Sequence, residues 1–412
     1  MLDVIVIGAG AAGLAAARRL EAARATYVVL EAKDRIGGRT VTDTATLGAP
    51  VDLGGHWLHS PAANPLTPLV DRYGFHLRRS AEDFRFAQDG RVLDAAENAA
   101  CAAYIDHCFD KIAVAGAERV DCAVADLFPF HGKWHGMFEA AFTAKQGVTP
   151  RDASAQDFAR YVWEGDDLPV LDGLGALVAR HAEGLEVRLR TPATRVAWGK
   201  AGGVAVETPQ GALQARAVII AVPVGVLAAE IIRFDPPLPD WKLGAIADLP
   251  MGSCNKVAFA FGSNVFGDLA DVMLMPDLGP DRSVELVIRE GGRDTATVMF
   301  NGPSAKALAA EGADASADYA LSVLASLFGN EIRRAAGKQF VVADWDHDPW
   351  IRGCYTAARL GAAEARARLA RPVEDRLFFA GEATHDRFMG DVHGAHLSGE
   401  AAADAVRAVI RR

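Results

Sequence analysis

The sequence predicts an α/β fold from three features: a glycine-rich turn between a strand and a helix at the N-terminus, several short apolar runs, and a long closing helix. The apolar residues 2–7 lead directly into Gly8-Ala9-Gly10-Ala11-Ala12-Gly13, and residues 14–20 have the composition of a helix. Gly8 allows a tight turn, Gly10 leaves room for a pyrophosphate, and Gly13 lets the helix pack closely on the strand. The first unit is therefore predicted to be a Rossmann-type dinucleotide-binding motif.

A carboxylate follows the second strand at the position where such motifs bind a ribose hydroxyl. Residues 27–30 are apolar and end at Glu31. The N-terminus of the preceding helix offers free N–H groups and a partial positive charge to phosphates. A glycine turn can also serve only to pack a strand against a helix. The strand, the helix and the acid together favour dinucleotide binding.

Composition and charge argue against several classes of protein. The chain has 412 residues, of which 50% are hydrophobic, so it can bury a large core. A formal net charge of −10 argues against non-specific binding of nucleic acid, and no apolar run is long enough to span a membrane. The five cysteines include no C-x-x-C pair and indicate neither a disulfide framework nor a zinc site. Because a core strand begins at once, leaving no room for a signal peptide, we expect a cytoplasmic protein without metal, nucleic-acid partner or membrane segment.

The nucleotide-binding elements are distributed along the chain, which predicts a discontinuous domain. We assign to this domain residues 1–75, 176–245 and 345–412. A mixed α+β substrate-binding domain then comprises residues 76–175 and 246–344. Apolar runs predict strands at 185–198, 203–208, 217–222, 256–261, 284–289, 295–300, 340–345 and 377–380. Residues 75–180 look mainly helical, and further helices are predicted at 316–328 and 393–410.

Four further segments carry a family resemblance. They are Asp34-Arg35-Ile36-Gly37-Gly38-Arg39, Asp52-Leu53-Gly54-Gly55-His56-Trp57-Leu58-His59, Asn255-Lys256-Val257, and a C-terminal pair that runs from Trp345 to Tyr355 and from Phe378 through Phe-Ala-Gly-Glu to Ala395. In this order they resemble the flavin-dependent amine oxidase family, which includes monoamine oxidases, polyamine oxidases and histone lysine demethylases. The resemblance covers the whole chain and implies FAD as the cofactor.

The resemblance implies a role for individual residues around FAD. Arg39 would supply a charged fork to the pyrophosphate, and Glu382 would hold the ribityl chain or the ribose. Val392 precedes the last helix, whose dipole would stabilise negative charge on the reduced ring. The implied cofactor-binding residues are Gly8, Gly10, Gly13, Glu31, Arg39, Gly55, Trp57, Val196, Trp345, Cys354, Gly381, Glu382 and Val392. Among them, Val196 would meet the adenine through its backbone.

Lys256 is the candidate catalytic residue. It lies between apolar residues on a predicted strand, where a lysine without a role is costly to bury. In the family this lysine hydrogen-bonds a water that bridges to flavin N5. The alternative is a lysine that extends from a strand edge into solvent.

The predicted substrate pocket contains His59, Tyr355, Trp350 and Asp391. Aromatic side chains here would form one side of a cage for an amine. Monoamine oxidases have an aromatic residue where this chain has Asp391, so the cage is predicted to be incomplete. The Asp391 carboxylate could instead hold a cationic group of the substrate, or it could cap the closing helix.

The function that follows is FAD-dependent oxidation of a small-molecule amine, polyamine or monoamine. A hydride would pass from the carbon beside a neutral amine nitrogen to flavin N5, the imine would hydrolyse to an aldehyde, and O2 would become hydrogen peroxide. One alternative is an L-amino-acid oxidase of the same fold, with Arg352 or Arg387 binding the substrate carboxylate. Another is a non-catalytic flavin-binding scaffold. Cys354 precedes Tyr355 as in monoamine oxidases, where that cysteine carries the flavin covalently, but non-covalent FAD is favoured here.

Overall fold

A computed structural model describes residues 1–78, 83–119, 121–199 and 203–410. The strands, numbered in chain order, are β1 Leu2–Ile7, β2 Tyr27–Leu30, β3 Thr42–Asp43, β4 Val51–Asp52, β5 Trp57–Leu58, β6 Asp83–Gln88, β7 Arg91–Val92, β8 Leu168–Pro169, β9 Val187–Arg188, β10 Arg195–Ala197, β11 Val204–Thr208, β12 Gly211–Ile220, β13 Arg233–Asp235, β14 Cys254–Phe261, β15 Val272–Pro276, β16 Ser283–Ile288, β17 Thr295–Asn301, β18 Ala336–Ala343 and β19 Leu377–Phe379.

The α-helices connect and cover these strands. In chain order they are α1 Ala11–Ala22, α2 Thr67–Tyr73, α3 Ala95–Ala117, α4 His135–Gln146, α5 Ala155–Phe158, α6 Leu174–His181, α7 Val224–Ala228, α8 Asp240–Ala247, α9 Gly302–Glu311, α10 Ala313–Phe328, α11 Glu331–Ala335, α12 Ala365–Ala370 and α13 Val392–Ile410. Among the helices described, none combines the length and the apolar character that crossing a bilayer requires.

The first sheet has a parallel centre formed by β1, β2, β12 and β19. Its strand order is β13-β10-β11-β12-β1-β2-β9, and β19 pairs with the C-terminal end of β12. The central strands are continuous apolar runs, and Val4, Ile5 and Val6 are fully buried, because helices and loops cover both faces. Helices α1 and α13 pack on each other beside this sheet. The predicted α/β class and dinucleotide-binding fold are confirmed.

The second sheet is mainly antiparallel, with the order β18-β14-β17-β16-β15-β6-β7. Its one parallel pair among the described strands is β15 with β6. Apolar side chains on one face pack with helices α9 and α10. The opposite face carries Lys256, Met299 and Glu285 in register across β14, β17 and β16. This face borders the cavity described below.

The two sheets draw their strands from separate parts of the chain. Strands of the first sheet lie within residues 1–75, 176–245 and 345–412, and strands of the second lie within 76–175 and 246–344. This distribution supports the division into a cofactor domain and a substrate domain, which we keep as a proposal.

Three local features differ from the predictions or were missed by them. The segment predicted as mainly helical contains β6, where Phe84 and Phe86 alternate with polar residues and β15 supplies a partner strand. The strand predicted at 185–198 is two short strands, β9 and β10, because Arg190 takes a left-handed conformation and Pro192 follows it. Strand β15 and helix α9 were not predicted, although both contribute to the buried core.

A buried ion pair joins the helical part of the proposed substrate domain to the proposed cofactor domain. The Arg366 guanidinium, which is fully buried, donates to both carboxylate oxygens of Asp157 over 2.9–3.1 Å. It also donates to the hydroxyl and carbonyl oxygens of Thr356, each over 2.9 Å. Removing one partner of such a pair leaves a buried charge without compensation.

We expect Asp157→Ala to lower the free energy of unfolding by about 3–5 kcal/mol, since it leaves the Arg366 charge buried and unpaired. Asp318→Ala is the matched control, because Asp318 is 75% exposed in its pair with Arg333 and should change stability by less than about 1 kcal/mol. Urea denaturation followed by circular dichroism measures both. Equal effects of the two substitutions would contradict the account of this pair.

Candidate active site

A long cavity lies between the first sheet and the second. At one end it is lined by the glycine turn after β1 and by Glu31, and at the other by Lys256 and Glu285 of the second sheet. The cavity therefore brings together residues from both proposed domains. Most of the residues selected from the sequence line it: Gly8, Gly10, Glu31, Arg39, Gly55, Trp57, His59, Lys256, Trp345, Trp350, Cys354, Tyr355, Gly381, Glu382, Asp391 and Val392.

The glycine turn has the shape that a dinucleotide requires. Gly8 has a φ of +103°, and a Cβ there would lie 2.7 Å from the carbonyl oxygen of Ala221. A Cβ on Gly13 would lie 1.9 Å from the carbonyl oxygen of Gly8, so Gly13 serves helix packing and not the cavity wall. At Gly10 the nearest atom to a Cβ is the Cα of Gly38, 4.0 Å away. The space above Gly10 is thus part of the cavity, and a side chain there would fill it.

The Glu31 carboxylate is held beside this turn. It accepts hydrogen bonds from the Ala9 N–H over 2.7 Å and from the Lys33 N–H over 2.9 Å. The residue is buried and lines the cavity. An ordered acceptor at this position matches a ribose hydroxyl, so the residues present fit the nucleotide half of FAD.

Arg39 and Glu382 face each other farther along the cavity. The Arg39 guanidinium lies 3.3 Å from a Glu382 carboxylate oxygen and also donates to the Cys354 carbonyl oxygen. The second Glu382 oxygen accepts from the Thr356 hydroxyl over 2.8 Å. Gly381 precedes Glu382 and donates its N–H to the Ser398 hydroxyl over 2.8 Å. These contacts fix the Arg39 guanidinium and the Glu382 carboxylate on the cavity wall. The guanidinium suits a pyrophosphate, and the carboxylate suits a polyhydroxyl chain.

The strand β5 segment meets the start of α13 at close range. A Cβ on Gly55 would lie 2.4 Å from the Cγ2 of Val392, so a glycine is required for this approach. Trp345 packs beside Gly54 and donates its indole N–H to the Leu53 carbonyl oxygen over 3.3 Å. The N-terminus of α13 consequently borders the cavity, as predicted for the residue Val392.

Lys256 extends from β14 into the cavity. Its Nζ donates to the carbonyl oxygen of Gly54 over 2.7 Å and to that of Asp52 over 3.4 Å, and it lies 5.7 Å from the centre of a Trp57 ring. Burial lowers the pKa of the Lys256 amine, although the nearby acidic groups partly oppose this effect. A neutral amine that donates both hydrogens to carbonyls retains a lone pair that can accept a hydrogen bond.

An acidic cluster formed by His59, Asp167, Asp391 and Tyr161 lies on another wall. The His59 Nδ1 is 2.6 Å from a carboxylate oxygen of Asp167, and its Nε2 is 4.0 Å from one of Asp391. The Tyr161 hydroxyl donates to Asp391 over 3.0 Å. Burial alone would lower the pKa of His59, but the carboxylates of Asp391 and Asp167 outweigh it and raise that pKa. Burial raises the pKa of the Asp391 carboxyl.

Tyr355 packs between this cluster and the sheet. Its hydroxyl donates to the carbonyl oxygen of Ala144, and a Cβ on Gly390 would lie 3.7 Å from its ring. Burial raises its pKa, so it stays a neutral phenol. Asp391 therefore stands near Tyr355 with its carboxylate bound to Tyr161. Among the hydrogen bonds of the described residues, none joins the N–H groups of α13 to this carboxylate, so helix capping is not its role.

One predicted placement was wrong. Val196 is fully buried in the sheet core, and its backbone pairs with β11 on one side and β13 on the other, so it does not reach the cavity. The preceding turn, Pro192 and Ala193, lines the cavity instead. Trp350 does line it, but its N–H binds Asp348, which pairs with Lys33 just after Glu31. The backbone at Trp350 is thus anchored beside the residues that follow Glu31.

Several cavity residues were missed by the sequence reasoning. Tyr161, Trp163 and Asp167 come from a segment that was treated as helical, and Glu285, Met273 and Met299 come from the second sheet. An acidic residue within the otherwise apolar run of β16 is the one local signal that could have identified Glu285. Of the residues that the structure describes, no group of three or more histidines, cysteines and acids is placed to hold a metal.

The comparisons with known proteins agree with this geometry. The model of the family described as flavin containing amine oxidoreductase matches residues 11–157 and 125–407. A protein of Oryza sativa subsp. japonica named polyamine oxidase 4 is 32% identical over 440 residues, which cover 98% of this chain and 88% of that protein. Polyamine oxidase 2 of Arabidopsis thaliana is 30% identical over 439 residues, with 98% and 88% covered.

A solved structure is similar over its full length. Cyclohexylamine oxidase from Brevibacterium oxydans IH-35A superposes with a TM-score of 0.80 at 26% identity, and 100% of each chain is covered. The similarity thus extends through both sheets and the cavity between them.

We expect Gly10→Val to abolish FAD binding while leaving the protein folded, because the added side chain enters the cavity and not the packed interior. Gly136→Val is the control, since a Cβ there meets nothing within 4 Å. The flavin absorbance of purified protein, before and after addition of FAD, gives the result, and near-ultraviolet circular dichroism reports the fold. A folded Gly10→Val protein with full flavin content would contradict the assignment of this cradle.

Proposed function

The chain belongs to the flavin-containing amine oxidoreductase family, and from that premise we propose that its substrate is a polyamine. FAD-dependent oxidation of an amine is the activity of the family and of this chain. The observation that supports a polyamine is the placement of three carboxylates on the cavity wall, Asp167, Asp391 and Glu285. Substrates with more than one ammonium group match several anionic positions.

The protein contributes binding and orientation, while the cofactor contributes the redox chemistry. The chemistry that FAD would supply when bound is acceptance of a hydride from the carbon beside the reacting nitrogen and reduction of O2, with hydrogen peroxide as the proposed product. Gly10, Glu31, Arg39 and Glu382 would hold it, and Val392 would bring the N-terminus of α13 against it. The Lys256 amine would bind a water near the reacting centre. The imine product would then hydrolyse to an aldehyde and a smaller amine.

Two separate groups of carboxylates on the cavity wall favour a multiply cationic ligand. With Asp167 and Asp391 ionised and His59 protonated, the acidic cluster itself carries one net negative charge, which the Lys145 ammonium on the same cavity wall opposes. Glu285 adds a carboxylate on the opposite, sheet side, where Asn301 donates to it over 3.4 Å. The reacting nitrogen must be neutral to release a hydride, so we place the non-reacting ammonium groups at these two carboxylate positions. Each charged hydrogen bond would contribute about 1.5–3 kcal/mol.

An amino acid fits this cavity poorly. Its carboxylate would need an arginine, and among the described residues that line the cavity the arginine is Arg39, which already binds Glu382 and Cys354. Arg352 and Arg387, the candidates from the sequence, are exposed and lie outside the lining. A scaffold without catalysis would not require a buried Lys256 beside the cofactor cradle. The observed charges therefore favour amine oxidation.

We expect Glu285→Gln and Asp391→Asn each to lower kcat/KM for spermidine about tenfold to one hundredfold, because each loses a charged hydrogen bond. For a monoamine of similar length the change should stay within about threefold, since no ammonium occupies the distal position. Asp166→Asn is the control, being an exposed acid beside Asp167 that does not line the cavity. If both substrates lost activity equally in each variant, or if the unmodified enzyme preferred the monoamine, the polyamine proposal would fail.

We further propose that the FAD is held without a covalent bond. Cys354 is buried, and burial raises the pKa of its thiol well above the usual value, which disfavours the thiolate needed for attachment. Acid precipitation is therefore expected to leave the yellow colour in the supernatant, for the unmodified protein and for Cys354→Ala alike. A pellet that stays yellow, and turns colourless in Cys354→Ala, would establish the covalent link instead.

A further inference from the structure

His56 occupies a buried position between two carboxylates. Its Nε2 lies 2.8 Å from a carboxylate oxygen of Glu290, and its Nδ1 lies 3.3 Å from one of Asp52. The ring lines the cavity and meets the neighbouring Trp57 ring edge-on at 4.4 Å between centres. Neither the family resemblance nor the proposed function assigns a role to this histidine.

The geometry indicates that this imidazole is doubly protonated. A neutral imidazole has one N–H and one lone pair, so one nitrogen would set its lone pair against a carboxylate oxygen. An imidazolium can donate to both Glu290 and Asp52. Burial alone would lower the pKa of His56, but Glu290 and Asp52 reverse this effect and raise the pKa to about 9. His56 is therefore a fixed positive charge at neutral pH.

The same charged group is connected to Lys256 through Asp52. The Asp52 carboxylate faces His56, while its main-chain carbonyl oxygen accepts from the Lys256 Nζ over 3.4 Å. Lys256 and His56 also contact the same Trp57 ring. The other titratable groups that act on the Lys256 amine are Cys254, Glu285 and Glu290. Without a cation beside them, the acidic side chains would favour a protonated Lys256.

We propose that His56 is a positioning residue for Lys256: its imidazolium offsets the carboxylates of Asp52 and Glu290 and so keeps the lysine amine neutral. Both hydrogens of that amine are donated to the carbonyl oxygens of Gly54 and Asp52. The remaining lone pair is then available to accept a hydrogen bond within the cavity. This inference rests on the proposed role of Lys256 at the reacting centre, yet it concerns a charge state of the resting protein.

The fold does not depend on His56 for the placement of Asp52. The Asp52 carboxylate also accepts from the N–H groups of Leu174 and Gly175 over 2.9 and 3.1 Å at the start of α6, and from the Thr42 hydroxyl over 2.5 Å. A glutamine at position 56 could retain a hydrogen bond to a carboxylate while removing the charge. His56→Gln therefore removes the positive charge at position 56, while the other hydrogen bonds of Asp52 keep that carboxylate in place.

The test follows the titration of Lys256 by carbon-13 NMR of lysine Cε atoms in the FAD-loaded protein without substrate, with Lys256→Met used for assignment. We expect His56→Gln to move this titration to higher pH by about one unit or more, because the substitution removes a nearby positive charge that repels the protonated amine. An unchanged titration, or one moved to lower pH, would overturn the proposal.

Glu290→Gln is the matched variant of opposite charge change. It removes a carboxylate that favours protonation of Lys256, so the Lys256 titration should stay in place or move to lower pH. The His56 ring should then titrate at lower pH than in the unmodified protein. If His56→Gln does not fold, the titration of His56 in the unmodified protein tests the proposal. A His56 pKa at or below the usual histidine value would contradict the fixed positive charge. These readouts need no turnover, so they can fail or succeed independently of the polyamine assay.

Discussion

Buried charge must be paired, and this constraint organises the cavity between the two sheets. Asp157 and Arg366 form such a pair away from solvent, and Arg366 binds Thr356, whose hydroxyl in turn donates to Glu382. The position of Glu382 is thus set in part by residues outside the cavity lining, in addition to its contact with Arg39. This series of contacts joins helix α5 to the loop that carries Glu382.

The same constraint explains the differences between the two histidines near β5. His56 touches both Asp52 and Glu290, whereas His59 touches Asp167 and stands farther from Asp391. Nearby carboxylates raise the pKa of both imidazole rings, because their attraction for the protonated ring outweighs the cost of burying its charge. The His56 cation faces Asp52 and Glu290, the acids that we propose it offsets beside Lys256, and the His59 cation reduces the charge of the acidic cluster. Neutralisation of acid by histidine allows several carboxylates to remain in one buried cavity.

Local motifs identified many of the residues that line the proposed cofactor end of the cavity. Gly10, Glu31 and Glu382 each follow a strand whose end fixes the position of the backbone. The local sequence is therefore enough to indicate where these three residues lie. The substrate side depends on contacts between distant segments: Asp167 meets His59 across 108 positions, and Glu290 meets His56 across 234. No spacing rule identifies such partners. Val196 was misplaced because the resemblance assigned the adenine contact to a residue within β10. The turn before β10, with Pro192 and Ala193, lines the cavity instead.

The relatives define the chemistry of the family, and the carboxylates define what is particular to this chain. Asp391 stands near Tyr355, and the Tyr161 hydroxyl fixes its carboxylate. We propose that this carboxylate gives the substrate end of the cavity an anionic wall in place of the aromatic residue that the resemblance to monoamine oxidases implied. Glu285, on the second sheet, supplies another carboxylate. It lies in register with Met299, which in turn pairs with Lys256. The position that we propose for a non-reacting ammonium group and the proposed reacting centre therefore lie on the same sheet.

The most direct measurement is an anaerobic titration of the FAD-loaded protein with spermidine, followed by the visible absorbance of the flavin. We expect spermidine to bleach the flavin faster and at lower concentration than a monoamine of similar length, and admission of O2 to restore the colour. A flavin that dithionite bleaches, but that polyamines leave oxidised, would show that this cavity does not oxidise polyamines.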